Sequence, residues 1–429
     1  MFSMKKLSLI TAILCTVSYF AQADTQTGIA IKDCQGLSNI SSNMSADYYL
    51  TGNIDCSGKY HYPIEGTFTG TLDGQNWSIF RLEIKNKDGQ KTQSTGLFRE
   101  LGPNSLITRL NIYNPLIKAH DEAHRGVIAG EAYGGAEISH VNVTYLQIHR
   151  TGDGKDHGVT GGMVGLATGD IIISNVHIGR IDNGYALIAQ NAYTGGLIGA
   201  AEGNVLIEKS SVTQLFNQNG KTCKNGEGEC GFGGFIGLVG QFNPISKIEN
   251  NSDINVTINE SYVAGGTISS KKNTGGMIGL IKANRSVHIK NSYTRLTMQC
   301  KDDHCNYFGG LFGYTAATGG HNDKDIILEN VYSAATIKNY YTDTRVRYEG
   351  GITGHEEGQL STRIRNEGVS QSYFNHTQMH NIAGDNVSIG LDTGQMKPAA
   401  PGENADQLFY LWDETIWRFS QGEYPKLNI

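Results

Sequence analysis

The chain has few prolines, few charges and no recognisable catalytic motif. It holds 7 prolines in 429 residues, and charged residues make up 18% of it. Its lysines and arginines form no basic stripe, which argues against a nucleic-acid surface. It has no P-loop, no Gly-x-Ser-x-Gly elbow and no His-Glu-x-x-His helix. We therefore expect no nucleotide-binding, hydrolase or zinc-peptidase chemistry of those kinds, no cofactor and no catalytic residue.

Long apolar runs are also missing, apart from the start of the chain. Residues 1–23 are typical of a secretory signal, with Lys5 and Lys6 first, an apolar stretch over 7–20 and a small-x-small cleavage site at 21–23. A transmembrane anchor is the alternative, but the apolar run is short for a bilayer. We expect an exported protein, secreted or at the cell surface, with the periplasm as another address. No transmembrane segment would remain after signal removal.

Six cysteines remain once the predicted signal is removed, and they fall into three pairs that are close in sequence. An even count in an exported chain favours disulfides. Free or metal-binding thiols are the alternative, but no Cys-x-x-Cys or finger spacing supports zinc. Removal of the signal leaves 33 basic and 41 acidic residues, a net charge of −8 that keeps an exported protein soluble. The predicted pairs are Cys34 with Cys56, Cys223 with Cys230, and Cys300 with Cys305.

Glycine, by contrast, is abundant, with 55 residues against a usual share of about 7%. Much of it belongs to a two-glycine tag that recurs every 34 to 42 residues. A fixed tag at such a period indicates a solenoid or array. Six full copies lie at 161–165, 195–199, 233–237, 275–279, 309–313 and 350–354, and two weaker copies at 96–98 and 126–130.

Each tag is followed by a segment in which apolar and polar residues alternate, as in a half-buried strand. We therefore predict an all-β fold, a parallel β-helix of about eight glycine-tagged repeats with a cap at each end. The glycines suit corners with positive φ or close backbone approach. Asn291 and Asn330 are expected to stack as structural ladders. The predicted segments are the signal (1–23), an N-terminal cap with the first coils (24–95), the solenoid (96–390) and a C-terminal cap (391–429).

Two of the three tryptophans, Trp412 and Trp417, lie in the predicted C-terminal cap. Bulky aromatic side chains there can cover the open end of a solenoid core. A tryptophan pair that binds sugar is the alternative, and the cap is the preferred interpretation.

With its six tags and its two distinct ends, the chain resembles the GLUG-motif proteins over about residues 45–429. That family is named for a glycine-leucine-x-glycine tag and occurs in bacterial surface proteins and beside IgA-protease-type domains. The resemblance implies a β-helix-like solenoid on an exported, adhesin-like protein. It implies no catalytic residue.

Polar loops precede most of the tags, and on a solenoid such insertions fall on one face, often the binding face. These loops lie at 149–160, 217–229, 269–273, 300–307 and 340–349. Groups of acidic residues and histidine at 153–157, 302–304 and 321–325 are either calcium ligands or solvated turns. No metal site is predicted from them.

We expect a non-enzymatic, adhesin-like binding protein, monomeric, that presents loops on one face to a host surface protein or a glycan. The alternative is a polysaccharide-active lyase or hydrolase, which rests on fold-level analogy. A cluster of outward Asp, Arg or Lys in a groove across adjacent coils would favour the enzyme. A purely structural envelope protein is a third hypothesis.

Overall fold

A computed structural model describes most of the chain between residue 27 and the C-terminus. The described ranges are 27–87, 94–120, 123–151, 158–179, 186–187, 193–217, 230–241, 254–282, 285–300, 305–316, 325–339, 349–356, 364–366, 372–375, 389–397, 409 and 412–429. The predicted signal therefore lies outside the described residues.

The largest element is a sheet that we call the wide sheet, with 23 strands in the described residues. All of its strand pairs are parallel. Its strands are Ile29–Ile31, Tyr48–Leu50, Ile54–Asp55, Tyr60–His61, Thr71–Asp73, Ser78–Phe80, Glu83–Lys85, Leu106–Tyr113, Leu116–His120, Ala136–Thr144, Gln147–Thr151, Ile171–Gly179, Ala186–Leu187, Val205–Glu208, Ser211–Asn217, Ile254–Asn259, Tyr262–Ser270, Arg285–Cys300, Ile326–Ser333, Thr336–Asn339, Ile364–Asn366, Tyr373–Asn375 and Ile389–Leu391.

Two narrower parallel sheets contain the glycine tags. The second sheet has the strands Ile64–Phe68, Phe98–Leu101, Ala129–Ala132, Val164–Ala167, Ile198–Ala201, Ile236–Val239, Ile278–Ile281, Phe312–Thr315 and Thr353–Glu356. The third sheet has the strands Val159–Gly161, Tyr193–Gly195, Gly231–Gly233, Lys272–Gly275, Asn306–Gly309 and Glu349–Gly350. A short antiparallel pair, Trp417–Arg418 with Lys426–Leu427, lies near the C-terminus.

The tags stack in register, one per coil. Gly161 pairs with Gly195, and the same column continues through Gly233, Gly275 and on to Gly350. The apolar residue after each double glycine is fully buried in one continuous core. The predicted parallel β-helix is confirmed. These buried residues are Met163, Leu197, Phe235, Met277, Leu311 and Ile352.

Close approach, and not positive φ, explains the tag glycines. A Cβ added to Gly162 would overlap the carbonyl oxygen of Gly196, and one on Gly196 would overlap that of Gly234. Neither glycine has a left-handed backbone. Of the two reasons offered for the glycines, close approach is therefore right here, because each coil rests directly on the peptide plane of the next.

The left-handed corners belong instead to a column of non-glycine residues, one per coil. Their φ angles lie between 45° and 54°. Asparagine tolerates this region because its short polar side chain bonds locally. Asn330 Nδ2 donates to Asn291 Oδ1 at 2.9 Å, so the predicted asparagine ladder is present. The column consists of Arg109, His140, Asn175, Lys209, Glu260, Asn291 and Asn330.

The N-terminal end is closed by a short α-helix, Cys34–Ser38, and a 3₁₀ turn, Asn39–Ser42. Asp33 caps the helix by accepting a hydrogen bond from the Gly36 amide. Leu37 and Ile40 are fully buried in the solenoid core. The helix thus covers apolar side chains that a bare first coil would leave in water.

Disulfides join Cys34 to Cys56 and Cys300 to Cys305, with Cα separations of 5.6 and 5.9 Å. Cys230 is also disulfide-bonded, and Cys223 lies outside the described residues. The pairs are local because the tag register places Cys230 and Cys305 two coils apart. That distance, about 10 Å, exceeds the reach of a disulfide.

Loss of the Cys34–Cys56 bond is expected to lower the free energy of unfolding by about 3 kcal/mol, because the bond closes a 22-residue separation in the unfolded chain. Denaturation of the Cys34→Ser/Cys56→Ser variant measures this loss. Loss of Cys300–Cys305 is expected to cost less, since its separation is 5 residues. Equal losses from both pairs would contradict the loop-length argument.

The C-terminal aromatic residues form a second cluster on the flank of the solenoid, separate from the main core. Trp412 and Trp417 are 2% and 1% exposed, so neither ring is open to a sugar. They pack against a column of stacked tyrosines on the wide sheet, Tyr262, Tyr293 and Tyr332. Within the described part of the chain this segment covers a side wall, where we had expected it to cover the open end.

Candidate functional site

An open groove of about 460 Å³ crosses several coils on the outer face of the wide sheet. It lies on the outward column Asn111, Asn142, His177 and Ser211, which are paired strand to strand in that order. Because adjacent parallel strands are about 4.8 Å apart, the groove runs across the strands, along the solenoid axis. Tyr262 continues the column and borders one end of the groove.

Two columns of left-handed residues border the groove-forming segment in the described coils that contain Asn111 and Asn142. One is the corner column at Arg109, His140 and Asn175. The other follows the groove residues and includes Asn114 and Tyr145, with φ of 54° and 62°. The chain changes direction at each of these two turns. The short segments between the two turns lie side by side in neighbouring coils and together form a shallow trough.

The polar groups on the floor of the groove hydrogen-bond along the axis. Asn142 Nδ2 donates to Asn111 Oδ1 at 3.0 Å, and His177 Nδ1 lies 2.9 Å from Ser211 Oγ. Asn142 is exposed, and Asn111 and His177 are half-buried. Ser211 is buried. The floor therefore offers a ligand a pre-ordered row of amide and imidazole groups, with the Ser211 hydroxyl as the hydrogen-bond partner of His177.

No Asp, Glu, Lys or Arg side chain belongs to the described lining of this groove. Burial lowers the pKa of His177 below its usual value, because the imidazolium is poorly solvated there. His177 is therefore neutral at pH 7. Tyr113 stacks on Phe80 at 5.4 Å and supplies aromatic surface at the edge. The side chains of the described lining are therefore without Asp, Glu, Lys or Arg, and they combine polar groups with aromatic surface.

The groove ends where the C-terminal segment begins to cover the same face. Its outward column continues beyond Tyr262 as Tyr293, Tyr332 and Tyr373, which lie under the C-terminal aromatic cluster. The last residue, Ile429, lines the groove together with Tyr262. The outward column is thus covered by the C-terminal segment from Tyr293 onwards, and the groove lies over the part of the column before it.

For the predicted loop face, the structure describes mainly the strands that flank the loops. The loop ends are aligned, because the strands that follow the loops are neighbours in the third sheet. Residues 152–157, 218–229, 301–304, 317–324 and 340–348 lie outside the described residues, and with them most of the acidic groups considered for calcium. Among described residues, 269–273 form a tight link between strands Tyr262–Ser270 and Lys272–Gly275.

Sequence reasoning missed the groove. Its residues are polar members of alternating strands, such as Asn111 and Asn142, and they differ little from other outward residues. The two residues share one position in successive repeats: each comes two residues after the left-handed corner and four residues before Pro115 or Leu146. An alignment of the repeats against one another would have shown this shared position.

No known family profile matches this chain. Halomucin of Haloquadratum walsbyi is 29% identical over 160 residues, which are 35% of this chain but only 2% of the length of that relative. A candidate immunoglobulin A1 protease from Bacteroides ovatus superposes with a TM-score of 0.44 at 15% identity, over 93% of this chain and 91% of that one. An IgA1 protease superposes with a TM-score of 0.39 at 16% identity, over 84% of this chain and 25% of that one.

Similarities this weak tell nothing of the activity of this chain. The assignment of the parallel β-helix depends on the strand pairing itself. In the described residues there is also no helix of the length and apolarity needed to cross a bilayer.

Proposed function

We propose that this protein is an exported, non-enzymatic glycan-binding protein whose groove holds an uncharged sugar chain. The supporting observation is the row of neutral polar side chains, Asn111, Asn142, His177 and Ser211, along the groove. Amide and hydroxyl groups match the hydroxyls of neutral sugars, and a tyrosine ring offers an apolar face to a sugar ring.

The geometry of the wide sheet favours a glycan over an extended peptide. A peptide that binds by strand addition needs an open sheet edge. Here Leu106–Tyr113 pairs with Ala136–Thr144, which pairs in turn with Ile171–Gly179, so the backbone groups of the groove are already used. A ligand in the groove therefore binds to the side chains and not to the backbone of these strands, and a sugar chain can bind in this way.

Binding is favoured over cleavage by the described lining. Hydrolysis of a glycosidic bond ordinarily uses a pair of Asp or Glu side chains, and none belongs to the described lining of the groove. Export through residues 1–23, a surface or secreted location, an adhesive role and membership of the GLUG-motif family remain parts of this proposal. So does a monomeric state.

An array of neutral oligosaccharides tests the proposal with the full chain. We expect Asn142→Ala and Tyr113→Ala each to weaken binding of the best ligand by about tenfold, the worth of one lost polar or stacking contact. Isothermal titration with that ligand measures the change.

Asn255→Ala is the matched control. Asn255 is an exposed asparagine of the same sheet that contacts Asn204 as Asn142 contacts Asn111, but outside the groove. It should leave binding unchanged. Binding that survives both groove variants but is lost when residues 217–229 are trimmed would place recognition on the loops instead. Release of reducing ends from any bound glycan would support the enzymatic alternative.

A further inference from the structure

A second surface, near the N-terminal end, combines exposed aromatic rings with lysines. Tyr60 and Tyr62 are 59% and 46% exposed, and Tyr60 is the most exposed large hydrophobic residue in the described part of the chain. Strand Tyr60–His61 lies in the wide sheet beside Glu83–Lys85. Tyr60 thus lies in the sheet and Tyr62 directly follows its strand, and exposed aromatic surface of this kind commonly marks an interaction site.

Lysines converge on the two rings. Lys85 Nζ lies 4.4 Å from the centroid of Tyr60 and 5.9 Å from that of Tyr62. Lys118 Nζ lies 6.0 Å from Tyr60, and Lys87 Nζ lies 5.6 Å from Tyr62. Such cation–π contacts hold flexible lysine side chains in place at exposed sites. We call Tyr60, Tyr62, Lys85, Lys87 and Lys118 the tyrosine–lysine patch.

The patch retains positive charge after its ion pairs are counted. Glu83 pairs with Lys118 at 2.5 Å, and Glu65 pairs with both Lys87 at 2.8 Å and Arg99 at 3.3 Å. Lys85 contacts the rings and, among residues 27–87 and 94–120, has no carboxylate within salt-bridge distance. Among the described residues, Lys85, Lys87, Lys118 and the neighbouring Arg99 thus meet two carboxylates, those of Glu65 and Glu83.

The cations are arranged in a line along the solenoid. Lys85 is paired with Lys118 on the next strand, so these two side chains of the outward column are about 4.8 Å apart, and the imidazole of His149 follows in the same column. A linear polyanion can follow such a column, and a sugar ring can rest on the exposed tyrosine faces. We propose that the tyrosine–lysine patch binds an acidic polysaccharide, a polymer of sugars that carry carboxylate or sulfate groups.

This inference does not depend on the groove, which lies beyond the turn at Asn114 on the neighbouring segment of the coil. Binding of polygalacturonate by the full chain tests it, with heparin as the sulfated arm and dextran as the neutral one. We expect binding to polygalacturonate or heparin that weakens steeply between low and physiological salt. The double variant Lys85→Gln/Lys118→Gln should bind about tenfold more weakly and with a shallower salt dependence.

Tyr60→Ala/Tyr62→Ala should also weaken binding by about tenfold, without changing its salt dependence, since it removes ring contacts and no charge. Lys338→Gln, an exposed lysine of the same sheet in a distant coil, is the matched control and should bind normally. Tyr60, Tyr62 and Lys338 are exposed and Lys85 and Lys118 are half-buried on the outer face, so circular dichroism should show unchanged folding in every variant. The inference is overturned if the wild type binds neither polyanion at low salt, if Lys338→Gln loses as much, or if anionic phospholipid vesicles bind and both polysaccharides do not. Asn142→Ala should leave polyanion binding intact, so the two proposals fail separately.

Discussion

Replacement of Gly196 by alanine is expected to destabilise the solenoid by about 3 kcal/mol or more, although only one methyl group is added. The new Cβ would overlap the carbonyl oxygen of Gly234 in the next coil and lie 2.9 Å from a methyl carbon of Val212. The first obstacle is backbone, which cannot swing aside as a side chain can. Relief requires the two coils to separate, with loss of the hydrogen bond from the Gly196 amide to Gly233.

Chemical denaturation of the full chain measures this effect, and Gly52→Ala is its control. Gly52 lies in an N-terminal coil, where an added Cβ meets nothing within 4 Å and the backbone is not left-handed. Its stability should change by less than about 0.5 kcal/mol. Similar losses in the two variants would contradict the argument that overlap with the next coil is what destabilises Gly196→Ala.

The period of the tags was enough to predict the fold because the repeat itself is the structure. Each copy of the tag, spaced 34 to 42 residues from the next, corresponds to one coil of the solenoid. The tag glycines therefore stack in the column from Gly161 to Gly350. The local disulfides follow from the same register. Asn291 and Asn330 were predicted as a ladder because identical residues at one repeat position must stack.

The groove could not be predicted in the same way, because concavity depends on where the chain turns. The corner column has no common residue: arginine, histidine, asparagine, lysine and glutamate all occupy it, each with positive φ. Propensity favours glycine or asparagine there, so Arg109 or Lys209 gives no warning of a turn. The stacking of each coil on its neighbour overrides the local preference.

The C-terminal segment was recognised as aromatic and terminal, but its destination was not. Tyr262, Tyr293 and Tyr332 are outward residues of successive coils, and alternation alone would place them in water. Three stacked rings, with centroids 4.9 Å apart, present a long apolar surface. The segment with Trp412 and Trp417 covers that surface. Packing there removes the rings of both the segment and the tyrosine column from water.

Tyr332→Ala is therefore expected to release the C-terminal segment from the flank and to cost about 3 to 4 kcal/mol. Tyr332 is fully buried between Tyr293 and Tyr424, and its hydroxyl donates to the Pro425 carbonyl at 2.6 Å. Truncation removes the ring that touches both tryptophans. In a Trp77→Phe background, which removes the exposed third tryptophan, fluorescence should shift to the red as Trp412 and Trp417 become solvated.

Tyr332→Phe separates the ring from its hydroxyl. It keeps the stack and loses only the hydrogen bond to Pro425, so a loss of about 1 kcal/mol and an unshifted emission are expected.

The groove provides a second readout for Tyr332→Ala, because Ile429 and Tyr262 line its end. If the tail closes the groove there, its release in Tyr332→Ala lengthens the open row from Tyr262 towards Tyr293, and longer neutral oligosaccharides should gain affinity over short ones. A red-shifted emission without any change in this length preference would mean that the tail stabilises the flank but does not limit the groove.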